Sequence, residues 1–435
     1  MSSYEIKDIR AVITDETGVH VKPVSVYIDG GLIAGVNRRP DGFIPDYVYS
    51  NNARKLLIPG LINAHTHSHM SLLRGCADDM PFHTWLFDRV LPLEDRLTPQ
   101  SAAWGTLLSC AEMIRTGTTC FNDMHMFEEV ILDAVHRSGM RAVLSRGLVG
   151  TCRDGIPSDG GRLEQAFRDI DAYRQQNTNG LISFALAPHA PYTCDEGYLR
   201  HVAQTARTHG LRLHIHVAES RRECEDSQRE HSKTPVEWLD SIGILDSQTL
   251  AAHCVHVTPN DIGILRDRGV SVAVNTVSNM KLGNGFAPVP QMAAAGVNIA
   301  LGTDGAASNN TQNLFRELNA LTLVHKGHTQ DPASVPAREA FYMATMGGAR
   351  ALGLDGVTGA IQEGLRADLV ILNLDMPHLT PCPDEISALA YGMTGLEAET
   401  VFINGKPVME KGELLTIDLP RVLYETEQAA RKLHG

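Results

Sequence analysis

The stretch PGLINAHTHSHM, residues 59–70, places an apolar run in front of three histidines at 65, 67 and 69. Along an extended strand, side chains alternate between faces, so the three imidazoles share one face. Three neutral imidazoles stacked on one side of a buried strand pack poorly. The spacing makes sense if something binds them, or if the strand ends among them.

Working outward, short apolar or β-branched runs recur as far as about residue 355, separated by helix-like stretches. They are KLLIPGLINAH (55–65), TTCFNDMH (118–125), RAVLSRGLV (141–149), ISFALAPH (182–189), RLHIHVAE (212–219), TLAAHCVH (249–256), SVAVNTVS (271–278) and VNIALGTD (297–304). Such alternation marks βα units around a parallel sheet. Eight units over roughly 300 residues predict an α/β fold, a (β/α)8 TIM barrel with its active site at the C-terminal ends of the strands. The ionisable residues fall at those ends: His65 and His67 after run one, His189 after run four, His216 and Glu219 after run five, His253 after run six, Asp304 after run eight. One buried histidine at a strand end is more often a packed core residue than a ligand. Repetition at five of eight ends favours a site.

The flanks read differently. Residues 4–57, ADLVILNL (367–374) and ETVFINGKPVMEKGELL (399–415) alternate and carry turn residues, as short antiparallel strands do. The expected organisation is a small composite β-sandwich built from both termini, residues 1–58 plus 359–435 with a terminal helix in 419–435, around a catalytic barrel at 59–358. The segment ASVPAREAFYMATMGGARALGL (333–354) has helical periodicity and is expected to cover the barrel.

With 43% apolar and 20% charged residues the composition is that of a soluble globular protein, and a net charge of −13 argues against nucleic acid or an anionic membrane as partner. A small-molecule substrate is expected. The eight cysteines form no C-x-x-C pair, so they predict reduced thiols and a cytoplasmic location rather than a disulfide framework or a cysteine metal site. The first residues lack the apolar core of a secretory signal, and no uncharged stretch reaches the roughly 18 apolar residues of a membrane helix.

A divalent ion held by imidazoles and one carboxylate needs ligands converging from separate elements with a position left open. His65, His67, His216 and Asp304 meet that description and predict one ion per chain, with zinc preferred. A two-ion site with a modified bridging lysine would need that lysine at the end of run four, where His189 stands. His69 lies past the strand and is expected to line or support the site. His214 sits deeper and reads as core or support, and packing is the favoured role for His125 and His256.

Taken together, PGLINAHTHSHMSLLRG, APHAPYTC, HIHVAES, AAHCVH, LGTDGAASNN and TGAIQEGLRADLVIL, in this order and spacing, resemble the amidohydrolase superfamily, and within it the 5-methylthioadenosine/S-adenosylhomocysteine deaminases. The resemblance spans nearly the whole chain. It implies a metal-bearing barrel with a composite β-sandwich, and hydrolytic replacement of a purine 6-amino group by oxygen with loss of ammonia. In that scheme Asp304 takes the proton of the attacking water, Glu219 protonates a ring nitrogen, His253 holds the water, and His189 hydrogen-bonds the purine. Glu94 is implied as the acceptor for ribose hydroxyls and Trp85 as a wall of the substrate pocket. Arg146 and Arg162 are implied at the ribose side or at an amino-acid carboxylate, which a guanidinium fork suits. As alternatives, Trp85 anchors a helix and Glu94 pairs with Arg96 in solvent; Asp78 and Asp79 read as a solvated face or loop cap and not as an acid/base couple. No G-x-G-x-x-G or P-loop pattern is present, so the expected substrate is a nucleoside without phosphates: S-adenosylhomocysteine, 5′-methylthioadenosine and, by extension, adenosine. Relatives acting on guanine or pterin derivatives, or dechlorinating triazines, share much of the pattern and form the alternative. A homo-oligomer is left open, since proteins of this fold often associate.

Overall fold

The computed structural model describes residues 2–15, 17–50, 52–175 and 180–435. Eight strands, Leu61–Thr66, Thr118–His125, Arg141–Leu148, Ile182–Pro188, Arg212–Val217, Thr249–His253, Ser271–Val274 and Asn298–Leu301, lie side by side in chain order, each parallel to the next. Ile62, Ala64, Cys120, Val143, Ala185, Leu250, Ala273 and Ala300 form a cluster of mostly small side chains drawn from seven of the eight strands. Ala349, Ala351 and Leu352 join that cluster from the helix Gly348–Leu352, so the segment expected to cover the barrel does so. Filled in this way the barrel is a packed core, with loops at one end free to carry a site.

Run one does not form one barrel strand. Lys55–Pro59 belongs to a second sheet, and the barrel begins at Leu61. Gly60 sits at the crossing, where a Cβ would lie 2.0 Å from Thr119 Oγ1, so only glycine fits. Runs seven and eight also end early. Ser271–Val274 gives way at Asn275 to the helix Thr276–Lys281, and Asp304 stands three residues beyond Asn298–Leu301.

The second sheet has nine strands from both ends of the chain. In spatial order they are Glu413–Leu414, Lys406–Glu410, Ala398–Ile403, Leu369–Asn373, Lys55–Pro59, Tyr4–Asp15, Gly18–Asp29 and Leu32–Val36, with Tyr47–Tyr49 pairing beside Tyr4–Asp15. Its period-2 pattern divides two cores. Leu57, Leu369, Ile371 and Phe402 pack within the sheet's own cluster, while Leu56, Ile58, Val370, Leu372, Val401 and Ile403 join the large core shared with the barrel helices. The helix Leu419–His434, grouped by chain order with this sheet, packs instead on the barrel: Leu433 joins Met70, Leu72, Leu73 and Trp85, and His434 Nε2 donates to the Leu72 carbonyl at 3.0 Å. No helix among the described residues is long and apolar enough to cross a membrane.

One buried ion pair ties the two sheets together. Arg141, at the start of the third barrel strand, donates through Nε and Nη2 to both oxygens of Asp368 at 2.6 and 3.1 Å, and Asn404 N–H donates to Asp368 Oδ1 at 2.7 Å. The side chains are 3% and 0% exposed. Removing one partner strands the other charge in the interior, so Asp368→Ala is expected to lower stability by about 3–5 kcal/mol. Urea unfolding of the variant against the parent protein reads this directly.

Candidate active site

The first barrel strand ends among its histidines. Asp123 Oδ1 accepts from Thr66 Oγ1 and from Ser68 N–H, both at 2.7 Å, and turns the chain into a short 3₁₀ helix, Ser68–Leu73. His65 therefore lies on the strand, His67 at its exit and His69 inside the turn. The Nε2 atoms of His65 and His67 each lie 3.5 Å from Asp304 Oδ1, and His67 Nε2 lies 3.3 Å from His216 Nε2. The donor atoms of His65, His67 and His216 all lie within 4.8 Å of one another, as do those of His65, His253 and Asp304.

Partners on the far side of each ring fix which nitrogen faces this point. His67 Nδ1 meets the Met124 carbonyl at 2.8 Å and His216 Nδ1 meets the His189 carbonyl at 2.7 Å. A carbonyl only accepts, so both Nδ1 atoms carry the proton and both Nε2 atoms keep a lone pair. His65 turns Nδ1 toward His214 Nε2 at 2.7 Å, and its own Nε2 is buried without a hydrogen-bond partner among the described residues. Burial lowers His65 to about 3 and holds His216 well below its ordinary value, so both rings are neutral, as ligands must be. Neutral imidazole lone pairs and one carboxylate around a common point fit a divalent metal ion.

Two carboxyl groups at this point are driven in opposite directions. Burial acts to raise Asp304, yet the group is held well below the carboxylate range. Ser278 and Ser308 hydroxyls donate to Asp304 Oδ2 at 2.7 and 2.8 Å, which suits the ionised form. Glu219 has no such donors within 3 Å among the described residues. Burial, and secondarily the Asp304 charge, push it well above the carboxylate range. A pair separated in this way offers a base and an acid at one pH. His253 Nε2 lies 3.8 Å from Glu219 Oε2, and His253 Nδ1 contacts Asn279 Oδ1 at 2.8 Å.

A cavity of about 300 Å³ opens on the cluster. His67, His189, His216, Glu219, His253 and Asp304 line its floor, and Trp85, Glu94 and Arg162 its walls. Trp85 is thus both a buried anchor and a wall residue. Glu94 does not pair with Arg96; it accepts from His69 Nε2 at 2.8 Å, and that contact outweighs burial and keeps it ionised. His69, the third imidazole, supports a carboxylate of the wall. His189 is set by Thr193 Oγ1 at 3.1 Å from Nδ1, and burial lowers it to about 4. Arg146 is not brought to the cavity surface: its neighbour Gly147 lines the wall, and Arg146 Nε is buried without a partner among the described residues. The segment 74–98 contains helical turns at Thr84–Val90 and Leu91–Glu94 and is pinned by Asp78, which pairs with Lys281 Nζ at 2.5 Å.

Several residues of the site had escaped the sequence reading. His125, assigned to packing, and Phe82, Met124, Met126 and Tyr192 all line the cavity. Met126 follows His125 at a strand end and Tyr192 lies three residues past His189, so strand-end position was a usable signal for them. Asn122, whose Nδ2 lies 3.1 Å from His214 Nδ1, offered none.

Residues 56–408 match the profile of the amidohydrolase family. The chain belongs to this family. A Caldanaerobacter subterraneus subsp. tengcongensis protein named 5-methylthioadenosine/S-adenosylhomocysteine deaminase is 43% identical over 434 residues, covering 98% of each chain. A Methanothermobacter thermautotrophicus protein named 5′-deoxyadenosine deaminase is 41% identical over 417 residues, 94% of this amidohydrolase and 95% of that protein. Among solved structures, a zinc-bound adenosine deaminase from Xanthomonas campestris superposes with a TM-score of 0.92 at 33% identity, covering 99% of this chain and 98% of its own.

For this amidohydrolase, chelator-treated protein should rebind one divalent ion per chain by elemental analysis, and His216→Ala or Asp304→Ala should leave well under one. His214→Ala removes the partner of His65 Nδ1 and should weaken affinity about 10–100-fold in competition with a chromophoric chelator.

Proposed function

We propose that the chain is a zinc-dependent hydrolytic deaminase that converts the 6-amino group of adenosine-type nucleosides to a 6-oxo group, with release of ammonia. Its expected substrates are S-adenosylhomocysteine and 5′-methylthioadenosine, with adenosine as an extension. The observation that carries this reading is the pair Asp304 and Glu219, one held ionised and one held protonated, beside the imidazoles of His67, His216 and His253 at one cavity. The names borne by full-length relatives above 40% identity support the substrate class.

His65, His67, His216 and Asp304 would hold the ion. When bound, it supplies Lewis acidity that lowers the pKa of a water toward neutrality. The ionised Asp304 accepts a proton from the attacking water. His253 orients that water, its ring fixed by Asn279. Glu219 delivers its proton to a purine ring nitrogen next to the carbon under attack, so negative charge does not build on the ring. His189, neutral and fixed by Thr193, hydrogen-bonds the purine. Glu219 then takes the hydroxyl proton of the tetrahedral carbon while Asp304 passes its proton to the amino group, and the carbon–nitrogen bond breaks to release ammonia and the 6-oxo purine. Glu94 faces the ribose hydroxyls with its charge maintained by His69, and Arg162 faces the 5′ end of the nucleoside, where a carboxylate suits a guanidinium.

The test is ammonia release by metal-verified protein with S-adenosylhomocysteine, 5′-methylthioadenosine, adenosine, adenine and guanine. Ribosides should be consumed well ahead of free bases, with one zinc per chain by elemental analysis. Glu219→Gln should lower kcat by about 10²–10⁴-fold. Activity on free bases alone, by metal-loaded protein, would move the substrate to another heterocycle. A second variant separates recognition from chemistry: Glu94→Gln should reduce kcat/KM on ribosides far more than on any free base that reacts, and equal losses would remove Glu94 from ribose recognition.

A further inference from the structure

The helix Arg221–His231 is preceded by Ser220 and carries Glu223 at its third position, an S-x-x-E pattern. In a capping box the hydroxyl accepts the third residue's N–H while the acid reaches back to the N–H of the capping residue itself. The helices that start after Thr98, Thr234 and Thr258 close both halves of that box. At Ser220 only one half forms: Ser220 Oγ accepts Glu223 N–H at 3.2 Å. The Glu223 carboxylate passes over Ser220 and accepts the N–H of Glu219 on Oε2 at 2.8 Å and the N–H of Ala218 on Oε1 at 2.7 Å.

These two residues have reason to need holding. Ala218 sits at φ 51°, in the left-handed region that a residue with a Cβ rarely adopts. The left-handed step turns the chain out of the fifth strand, one residue after Val217, and it is followed at once by Glu219. Glu223 is 6% exposed and has no ion-pair partner among the described residues. A buried carboxylate without a counter-charge is costly, and an ordinary cap needs no such burial. Its two oxygens are matched by two adjacent backbone N–H donors, a bidentate fit that fixes both peptide planes.

We infer that Glu223 is a positioning residue, which clamps the Ala218 and Glu219 peptides and so aims the Glu219 carboxyl into the cavity. The inference rests on the acid role proposed for Glu219. It requires no contact between Glu223 and the substrate, and Glu223 does not line the cavity.

The test is Glu223→Gln, nearly isosteric, which sets an NH2 group against one of the two N–H donors. In metal-loaded protein, kcat on the best riboside should fall about 10- to 100-fold, the effect of a reacting group misplaced by about 1 Å, while KM and bound metal stay at wild-type values. Hydrogen exchange at the Ala218 and Glu219 amides should quicken, with the rest of the fifth strand unaltered. Should Glu223→Gln fail to fold, Glu223→Asp keeps the charge and shortens the reach, and the same readouts apply. Wild-type kcat in a folded variant, or unchanged exchange at both amides, would overturn the inference. Wild-type protein that releases no ammonia from any riboside would sink the proposed function instead, and exchange at the two amides would still decide whether Glu223 is the clamp.

Discussion

The first and eighth strands of the barrel meet through a seam of side-chain and peptide contacts. Asn63 Oδ1 accepts the Thr303 N–H at 2.9 Å, Asn63 Nδ2 donates to Thr303 Oγ1 at 2.8 Å, and the Asp304 N–H donates to the His65 carbonyl at 3.0 Å. At Gly302 a Cβ would lie 2.8 Å from His65 Cβ and 2.4 Å from Asn275 Oδ1, so the eighth strand can approach this closely only without a side chain. Barrel closure and assembly of the site are one event. The contact that shuts the barrel also brings the carboxylate of Asp304 against the imidazoles of His65 and His67.

That closeness has an electrostatic cost that shapes the chemistry. The ring centres of His67, His214, His216 and His253 each lie within 5.3 Å of that of His65, and His216 lies within 6.5 Å of the other four. Desolvation keeps His65, His214 and His216 neutral, and carbonyl partners choose the nitrogen left free on His67 and His216. The same low-dielectric setting treats the two carboxyls differently, because Asp304 has hydroxyl and N–H donors to stabilise its charge and Glu219 has, among the described residues, only the distant amide of Asn284 at 3.5 Å.

Much of this was legible in the sequence for a physical reason. Fully buried parallel strands read as continuous apolar runs, and an ionisable residue at the end of such a run stands out against them. That contrast located His65, His67, His189, His216, Glu219, His253 and Asp304. It failed where an apolar pattern outlasts its strand. Residues 56–62 stay apolar through two strands in different sheets, and only Gly60 marks the crossing. Thr276 and Val277 look like strand residues yet begin a helix, whose Val277 N–H lies 3.3 Å from the buried Glu317 carboxylate. Residues that support others, such as Asn63, Asn122 and Ser278, are ordinary polar residues in the sequence, and only the fold reveals what they hold.

The helix Leu419–His434 gives the molecule a temporal constraint. His434 Nε2 bonds the Leu72 carbonyl across 362 positions of chain, and Leu433 packs against Met70, Leu72 and Trp85. Ribosomes make Leu72 and Trp85 long before Leu433. In the nascent chain, the turn that carries His69 and the wall that carries Trp85 are present but unbacked while the remaining strands emerge. The pocket wall therefore takes this backing only once synthesis has passed Leu433.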